Sequence, residues 1–473
     1  MHPKGHPHLA TPSEHRIFSV LCLCLMGLCK AVDAGTYYTS PSGTGDGSMP
    51  ATPRAWDNAT WVSPGDTVYL LNGQYGSWTT SVSGTSGSAI TFNALNKDGP
   101  MFTRVAIQSS YLNVSGIDVN TPDRDYALYI AGTPENRLKN VTVTNSKVHG
   151  NALGTGPCRW LIWGRDLDNA LIEDCNVYDG GVQGAAGARG IDLWGCNYVT
   201  VRRCHVYNFI GSGIRTGGGT NILFEYNVVH TQRCDLAPGI HGSGAAIHSH
   251  LTTLRGNIIY DCGNSRSLYF YPQVAGDYGY HDILVENNLI FKTPNPPATY
   301  NGIDFQDMGT NCVIRNNTFV DGCKIFFAKS VDGSGLTIHN NLFAGGLTLN
   351  NYGTSSVLNG QTAEVAFAKW PTVSEGGNIY KSLQASGNGY QIPRTQFSET
   401  STSTVNSNAG YWAVGAMFKA TTGDYPYQLA KDSPAIGAAD RSYAPTLDLL
   451  ANPRDAAPDA GCYEHTGFAG NQT

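Results

Sequence analysis

Five short segments carry acid–base and anion-binding side chains at matching positions. In register they read GIDLW from residue 190, GIRTG from 213, AIHSH from 246, SLYFY from 267 and GIDFQ from 302. The second and fourth positions are Ile191/Leu193, Ile214/Thr216, Ile247/Ser249, Leu268/Phe270 and Ile303/Phe305. These are mostly apolar, and period-two alternation of this kind marks a strand with one face buried. The third positions, Asp192, Arg215, His248, Tyr269 and Asp304, then point outward together. So do the fifth, Trp194, Gly217, His250, Tyr271 and Gln306.

If the five segments lie on neighbouring strands, β-elimination across a uronate is the chemistry that fits. It needs a cation for the carboxylate, a base for the carbon-5 proton and an acid for the leaving oxygen. Arg215 can hold a carboxylate through two parallel hydrogen bonds. His248 and Tyr269 follow on the next two strands, about 5 Å per step, and both residue types exchange protons. Arg215 is the expected neutraliser, His248 the base and Tyr269 the acid, the last two being interchangeable. Trp194 and Tyr271 offer flat faces for sugar rings. Asp192, His250, Asp304, Gln306 and His241, from the adjoining loop TQRCDLAPGIHGSGA, complete the expected substrate-binding set.

Two other chemistries compete. Glycoside hydrolysis usually takes two carboxyls roughly 5–10 Å apart. Asp192 and Asp304 are four strands apart, about 19 Å, and Asp304 could pair with Asp307 only if the strand bends. Hydrolysis is therefore the second reading. His248 and His250 could instead share a metal, with Asp304 or His241 as third ligand. Calcium is a candidate cofactor from the scattered Asp residues, although no acidic cluster marks a site.

What positions these strands is an internal repeat. From about residue 112 to 345 one pattern returns every 23 to 31 residues: VTNSKV, IEDCNV, VRRCHV, FEYNVV, LRGNII, VENNLI, IRNNTF and IHNNLF. The fourth positions are Ser146, Cys175, Cys204, Asn227, Asn257, Asn288, Asn317 and Asn341. Asn recurring at a bend can bond to its copies above and below, and it tolerates the left-handed conformation. The expected fold is all-β, a right-handed parallel β-helix solenoid whose coils bury their apolar faces only by stacking. The second positions, Glu173, Arg202, Glu225, Arg255, Glu286, Arg315 and His339, alternate acid and base. Strict alternation cancels charge, so this column reads as cross-strand ion pairs rather than a substrate track. Cys175 and Cys204, in adjacent coils, could form a disulfide or a stacked pair of thiols.

Composition agrees with many short strands joined by turns. Charged residues are 14% and glycines number 56. A net charge of −6 gives no basic footprint for nucleic acid, and scattered basic residues argue against a membrane surface. The apolar run IFSVLCLCLMGLC, followed by AVDAG, reads as a signal peptide cleaved after Ala34. A secreted or periplasmic monomer is expected. Three of the 12 cysteines lie in that leader, and the other nine form no C-x-x-C metal pattern. The expected layout is signal peptide 1–34, N-terminal cap and first coils 35–110, β-helix core 111–346, and C-terminal coils and cap 347–473.

TYYTSPSGTGDG and GDTVYLLNGQY near the start, the N-N coils, and DSPAIGAAD with DAGCYEH at the end carry a resemblance. The chain resembles secreted parallel β-helix proteins of the polysaccharide-degrading kind, including the alginate lyase and chondroitinase B group and the pectate lyases. Carbon-5 epimerases and several glycoside hydrolases share that scaffold. The resemblance implies a polysaccharide partner held in a groove along one sheet. The alginate lyase and chondroitinase B group uses a Lys base and an Arg acid, and no Lys falls on the five aligned segments. The Asp-Pro-His motif of the epimerases and the Gly-His-Gly pattern of pectin hydrolases are absent.

Overall fold

The computed structural model describes residues 34–121, 125–150, 158–181, 189–233, 236, 242–262, 266–270, 281–293, 303–308, 311–327, 336–351, 374–386, 402–423 and 425–465. Residues 1–33 of the expected leader and the residues His241 and Tyr271 lie outside them, as do the side chains of Gln306 and Asp307.

Each coil contributes to three parallel sheets. Sheet A holds Tyr126–Ala131, Trp160–Arg165, the first half of Arg189–Arg202, the first half of Ser212–Glu225, Ser243–Ile247, Arg266–Phe270, Ile303–Met308 and Cys323–Phe327. Sheet B takes the second halves of those two long strands, then His250–Arg255, Leu284–Glu286 and Val313–Arg315. Sheet C includes Lys147–Gly150, Asn176–Gly180, His205–Phe209, Val228–Gln232, Ile258–Tyr260 and Leu289–Phe291. Parallel pairing runs from Thr36–Ser40 to Thr404–Val405. One coil shows the logic: Ile191 and Leu193 from sheet A, Val199 and Val201 from B and Val206 from C all reach 0% exposure. Full burial of each such side chain is worth about 1.5–3 kcal/mol.

Both ladders form as the repeat predicts. The Nδ2 of Asn227, Asn257, Asn288 and Asn317 each donates to the Oδ1 of the next Asn at 2.9–3.0 Å, and each backbone N–H donates to the same oxygen. Asn341 extends the ladder one coil further, to Asn378. The left-handed conformation sits one residue earlier than expected, at Tyr226, Gly256, Asn287, Asn316 and Asn340. The turn is made there, which frees the ladder Asn to aim its amide along the solenoid axis. In the acid–base column, Glu173, Arg202, Glu225, Arg255, Glu286, Arg315 and His339 are opposite one another in every step. Arg255 and Arg315 clasp Glu286 at 2.5 and 2.6 Å. Cys175 and Cys204 are buried free thiols, each donating to carbonyls of its own and the preceding coil.

The C-terminal segment lies along the flank of sheet C. Trp412, Met417, Phe418, Tyr427 and Leu449 share an apolar cluster with Leu289, Phe291, Leu342 and Ile379. Arg454 fixes it to the turns by donating to Asn287, and is itself held by Glu464 of the same segment.

Candidate active site

The outer face of sheet A carries two columns. Strand pairing puts Tyr129, Trp163, Asp192, Arg215, Ala246, Tyr269, Asp304 and Lys324 in register, one per coil. Three residues earlier stand Tyr126, Trp160, Arg189, Ser212, Ser243 and Arg266. The two residues between are buried in every coil, so strict alternation fails at the start of each strand. In three coils the first of those two is Gly190, Gly213 or Gly244. A Cβ there would come within 2.4–2.5 Å of Val206, Val229 or Ile259 across the core. Glycine lets sheet A press onto sheet C at this point.

This register corrects the sequence alignment in one coil. Ala246, not His248, stands between Arg215 and Tyr269. A slip of two residues keeps every side chain on its face, so alternation could not detect it. His248 instead follows the end of Ser243–Ile247. Its N–H donates to Thr216 Oγ1 at 2.8 Å, beside a buried hydroxyl chain of Thr216, Ser249 and Thr252. Its ring stands edge-on to Tyr269, centroids 6.2 Å apart, so the two expected proton carriers remain neighbours. His250 turns away: it pairs with Thr220 at the start of sheet B and stacks on His281 at 4.1 Å. The two histidines part at a sheet corner. No group of three or more His, Cys, Asp or Glu able to hold a metal occurs among the described residues.

Asp192 organises the middle of the face. At 0% exposure, its Oδ2 accepts from Arg189 Nη1 at 2.6 Å and from the indole N–H groups of Trp160 and Trp194, both at 3.0 Å. Its Oδ1 lies 3.7 Å from Arg215 Nη1. Arg215 in turn sits over the Trp194 ring, 4.7 Å from its centroid, and Trp194 lies against Gly217, where a Cβ would collide at 2.6 Å. Burial lowers the Arg215 pKa to about 10, which leaves it cationic at neutral pH. Asp192 and Arg215, both buried, thus hold two partly exposed tryptophans in fixed orientation.

A second charged group lies two to four coils beyond Arg215. Arg266 forms a close ion pair with Asp304 and places its guanidinium 4.2 Å from the Tyr269 ring centroid. Lys324, exposed, is opposite Asp304 in the next coil. A lysine therefore does stand on the stripe, one coil beyond the five aligned segments. Sequence reasoning also missed Arg189 and Arg266 and the aromatic residues Tyr126, Tyr129, Trp160 and Trp163. Their signal is a spacing of three: YALY, WLIW, RGID and RSLY begin four of the sheet A strands.

The family described as a right handed beta helix region matches residues 189–366. Among solved structures, the XylC complex with xylose is 11% identical, with a TM-score of 0.52 over 91% of this chain and 98% of that one. The fold is the right-handed parallel β-helix. Pectate lyase Pel9A is 14% identical over 91% of this chain and 96% of its own, with a TM-score of 0.47. A mannuronic acid specific polysaccharide family 6 lyase from human gut microbiota is 16% identical over 76% and 78%, with a TM-score of 0.45. No curated protein matches the sequence. At these identities the likeness concerns the β-helix scaffold, and function must be argued from the groups on sheet A.

Proposed function

We propose that this β-helix cleaves an acidic, uronate-containing polysaccharide by β-elimination in the groove along sheet A, outside the cytoplasm and as a monomer. The reading rests on one observation: Arg266, Tyr269 and Lys324 group within three coils, while the groove carboxylates Asp192 and Asp304 are already bound by arginines. Those two carboxylates stand four steps apart, about 19 Å, far beyond the separation a hydrolase uses.

Exposed Lys324, with Arg266 held beside it by Asp304, is the cation offered to a uronate carboxylate, whose neutralisation acidifies the adjacent carbon-5 proton. Tyr269 and His248 move protons: one takes the carbon-5 proton, and the freed electron pair forms the C4–C5 double bond as the C4–O bond breaks. The leaving oxygen receives a proton from the other. Lys324 is also the side-chain type used as base by the lyases this sequence resembles, and it can replace either carrier in that role. Arg215, 6% exposed, acts by holding Asp192 and Trp194.

The test is a screen of polygalacturonate, alginate, chondroitin and neutral xylan. An unsaturated product with its ultraviolet absorbance supports the proposal. Reducing ends without that absorbance assign hydrolysis, and binding without cleavage assigns a non-catalytic glycan receptor; either outcome ends the lyase reading.

A further inference from the structure

On the N-terminal side of Asp192, the outer face of sheet A changes character. Tyr126, Tyr129, Trp160 and Trp163 occupy both outward columns of two successive coils, and all four are partly exposed. They form one cluster, with centroid separations of 4.6 Å for Tyr126–Tyr129, 4.8 Å for Tyr129–Trp163 and 4.7 Å for Trp160–Trp163. Arg104 covers the Tyr126 ring from the preceding coil at 4.2 Å. The cluster is not a core element, because the buried residues of the same strands, Leu128, Ile130, Leu161 and Ile162, point the other way. It is also held rigidly: the Trp160 indole N–H is bonded to buried Asp192, the carboxylate that orients Trp194 on its other side.

We infer that this aromatic cluster is a sugar-stacking subsite. It takes pyranose units of the same polysaccharide chain whose cleavage was proposed above, and the inference rests on that reading of the groove. The axial C–H bonds of a pyranose with equatorial substituents make an apolar face that packs on an aromatic ring. The Trp160 indole, already fixed by its hydrogen bond, loses little side-chain freedom when a ring docks on it. From Tyr129 to Lys324 the column covers seven steps, about 34 Å, long enough for several sugar units. The aromatic end, at Trp163, lies five steps, roughly 24 Å, from Asp304 and six, roughly 29 Å, from Lys324. A chain must therefore be long to engage both ends, and its remote units would contribute affinity that short fragments lack.

The test compares tri- and hexasaccharides of galacturonate, mannuronate and xylose by calorimetry, in the wild-type chain and in Trp163→Ala and Tyr129→Ala. In wild type, at least one series should bind the hexamer about tenfold tighter than the trimer, equivalent to 1.4 kcal/mol. Both alanine variants should bring that ratio near one, and Trp163→Phe, which keeps a ring, should restore most of it. An undiminished ratio in the alanine variants, or no binding by any hexamer, overturns the inference. Ultraviolet product absorbance, read in parallel, tells the two proposals apart. Chain-length-dependent binding without unsaturated product keeps the subsite and removes the lyase. Product formed with an undiminished ratio in the variants does the reverse.

Discussion

Sheets A and C both display aromatic and titratable side chains in register, yet they use them differently. On sheet C, His149, Tyr178, Tyr207, His230, Tyr260 and Phe291 stack one per coil at 4.6–5.4 Å with planes within 13°. Each ring covers its neighbours' faces, and Phe291 ends against Tyr427 of the C-terminal segment. On sheet A the side chain changes in nearly every coil, and the tightest ion pairs, Arg189–Asp192 and Arg266–Asp304, join the two columns. A column that repeats one kind of group satisfies itself, as the Asn ladder does. A column that mixes acid, base and aromatic leaves groups that a ligand can complete.

The sharpest test of that contrast is Tyr269→Phe on sheet A against Tyr207→Phe on sheet C. Each removes one hydroxyl from a ring in register. General acid–base roles are worth about 10²–10⁴-fold, so Tyr269→Phe should lower kcat/KM at least a hundredfold, while Tyr207→Phe stays within about twofold. Equal effects on the steady-state rates would erase the distinction between the two faces. Next in size is Asp192→Ala. Removing one member of a buried ion pair costs about 3–5 kcal/mol, here because Arg189 and Arg215 lose their shared carboxylate. A urea titration giving under 1 kcal/mol would show that Asp192 does not organise the face.

Legibility followed repetition. Asn227, Asn257, Asn288, Asn317 and Asn341 could be read because each carries the same residue into the same turn. The Glu286–Arg315 column could be read because alternation is itself a pattern. The outer face of sheet A has no such rule. Ala246 was passed over because a slip of two residues preserves facing, although Ala245 and Ile247 fill the inward positions better than Ile247 and Ser249 do. Lys324 lay one coil past the aligned segments, in CKIFF, where a polar residue between apolar ones looked like ordinary alternation. Arg189 and Arg266 were hidden by the paired buried residues that break period two at each strand start. The sequence did place Arg215, Tyr269, Asp192 and Asp304 on one face, because local alternation suffices for that.

Within the scaffold, the Asn ladder should outweigh the ring ladder. The Asn288 amide accepts from the backbone and side chain of Asn257 and donates to Leu254, Glu286 and Asn317. Asn288→Ala strands several buried partners at about 1–3 kcal/mol each, and a loss of roughly 3 kcal/mol is expected after relaxation. Tyr178→Leu on the half-exposed ring ladder should lose about 1 kcal/mol. Chemical denaturation of both variants ranks them, and the reverse order would mean that sheet C is held chiefly by its rings.

The smallest effect is a pH dependence confined to sheet C. Burial, with neighbouring His205 adding to it, lowers the His230 pKa to about 4 from an ordinary 6.5. The two imidazoles meet Nε2 to Nε2 at 2.7 Å, and His230 Nδ1 faces Thr231 Oγ1 at 2.7 Å. His205 is lowered as well, by burial. Between pH 6.5 and 4 the unfolded chain therefore binds protons that the folded chain refuses. Stability rises with pH wherever the unfolded state holds more protons, so this contribution is complete above pH 6.5 and fades as pH falls towards 4. Partial exposure of the pair limits it to about 1 kcal/mol. His230→Phe keeps a ring in the stack and removes the titrating group, so its melting temperature should fall less than that of wild type between pH 7 and 4.5. Parallel curves for the two proteins would mean that His230 is protonated in the folded stack, and that sheet C tolerates charge as sheet A does.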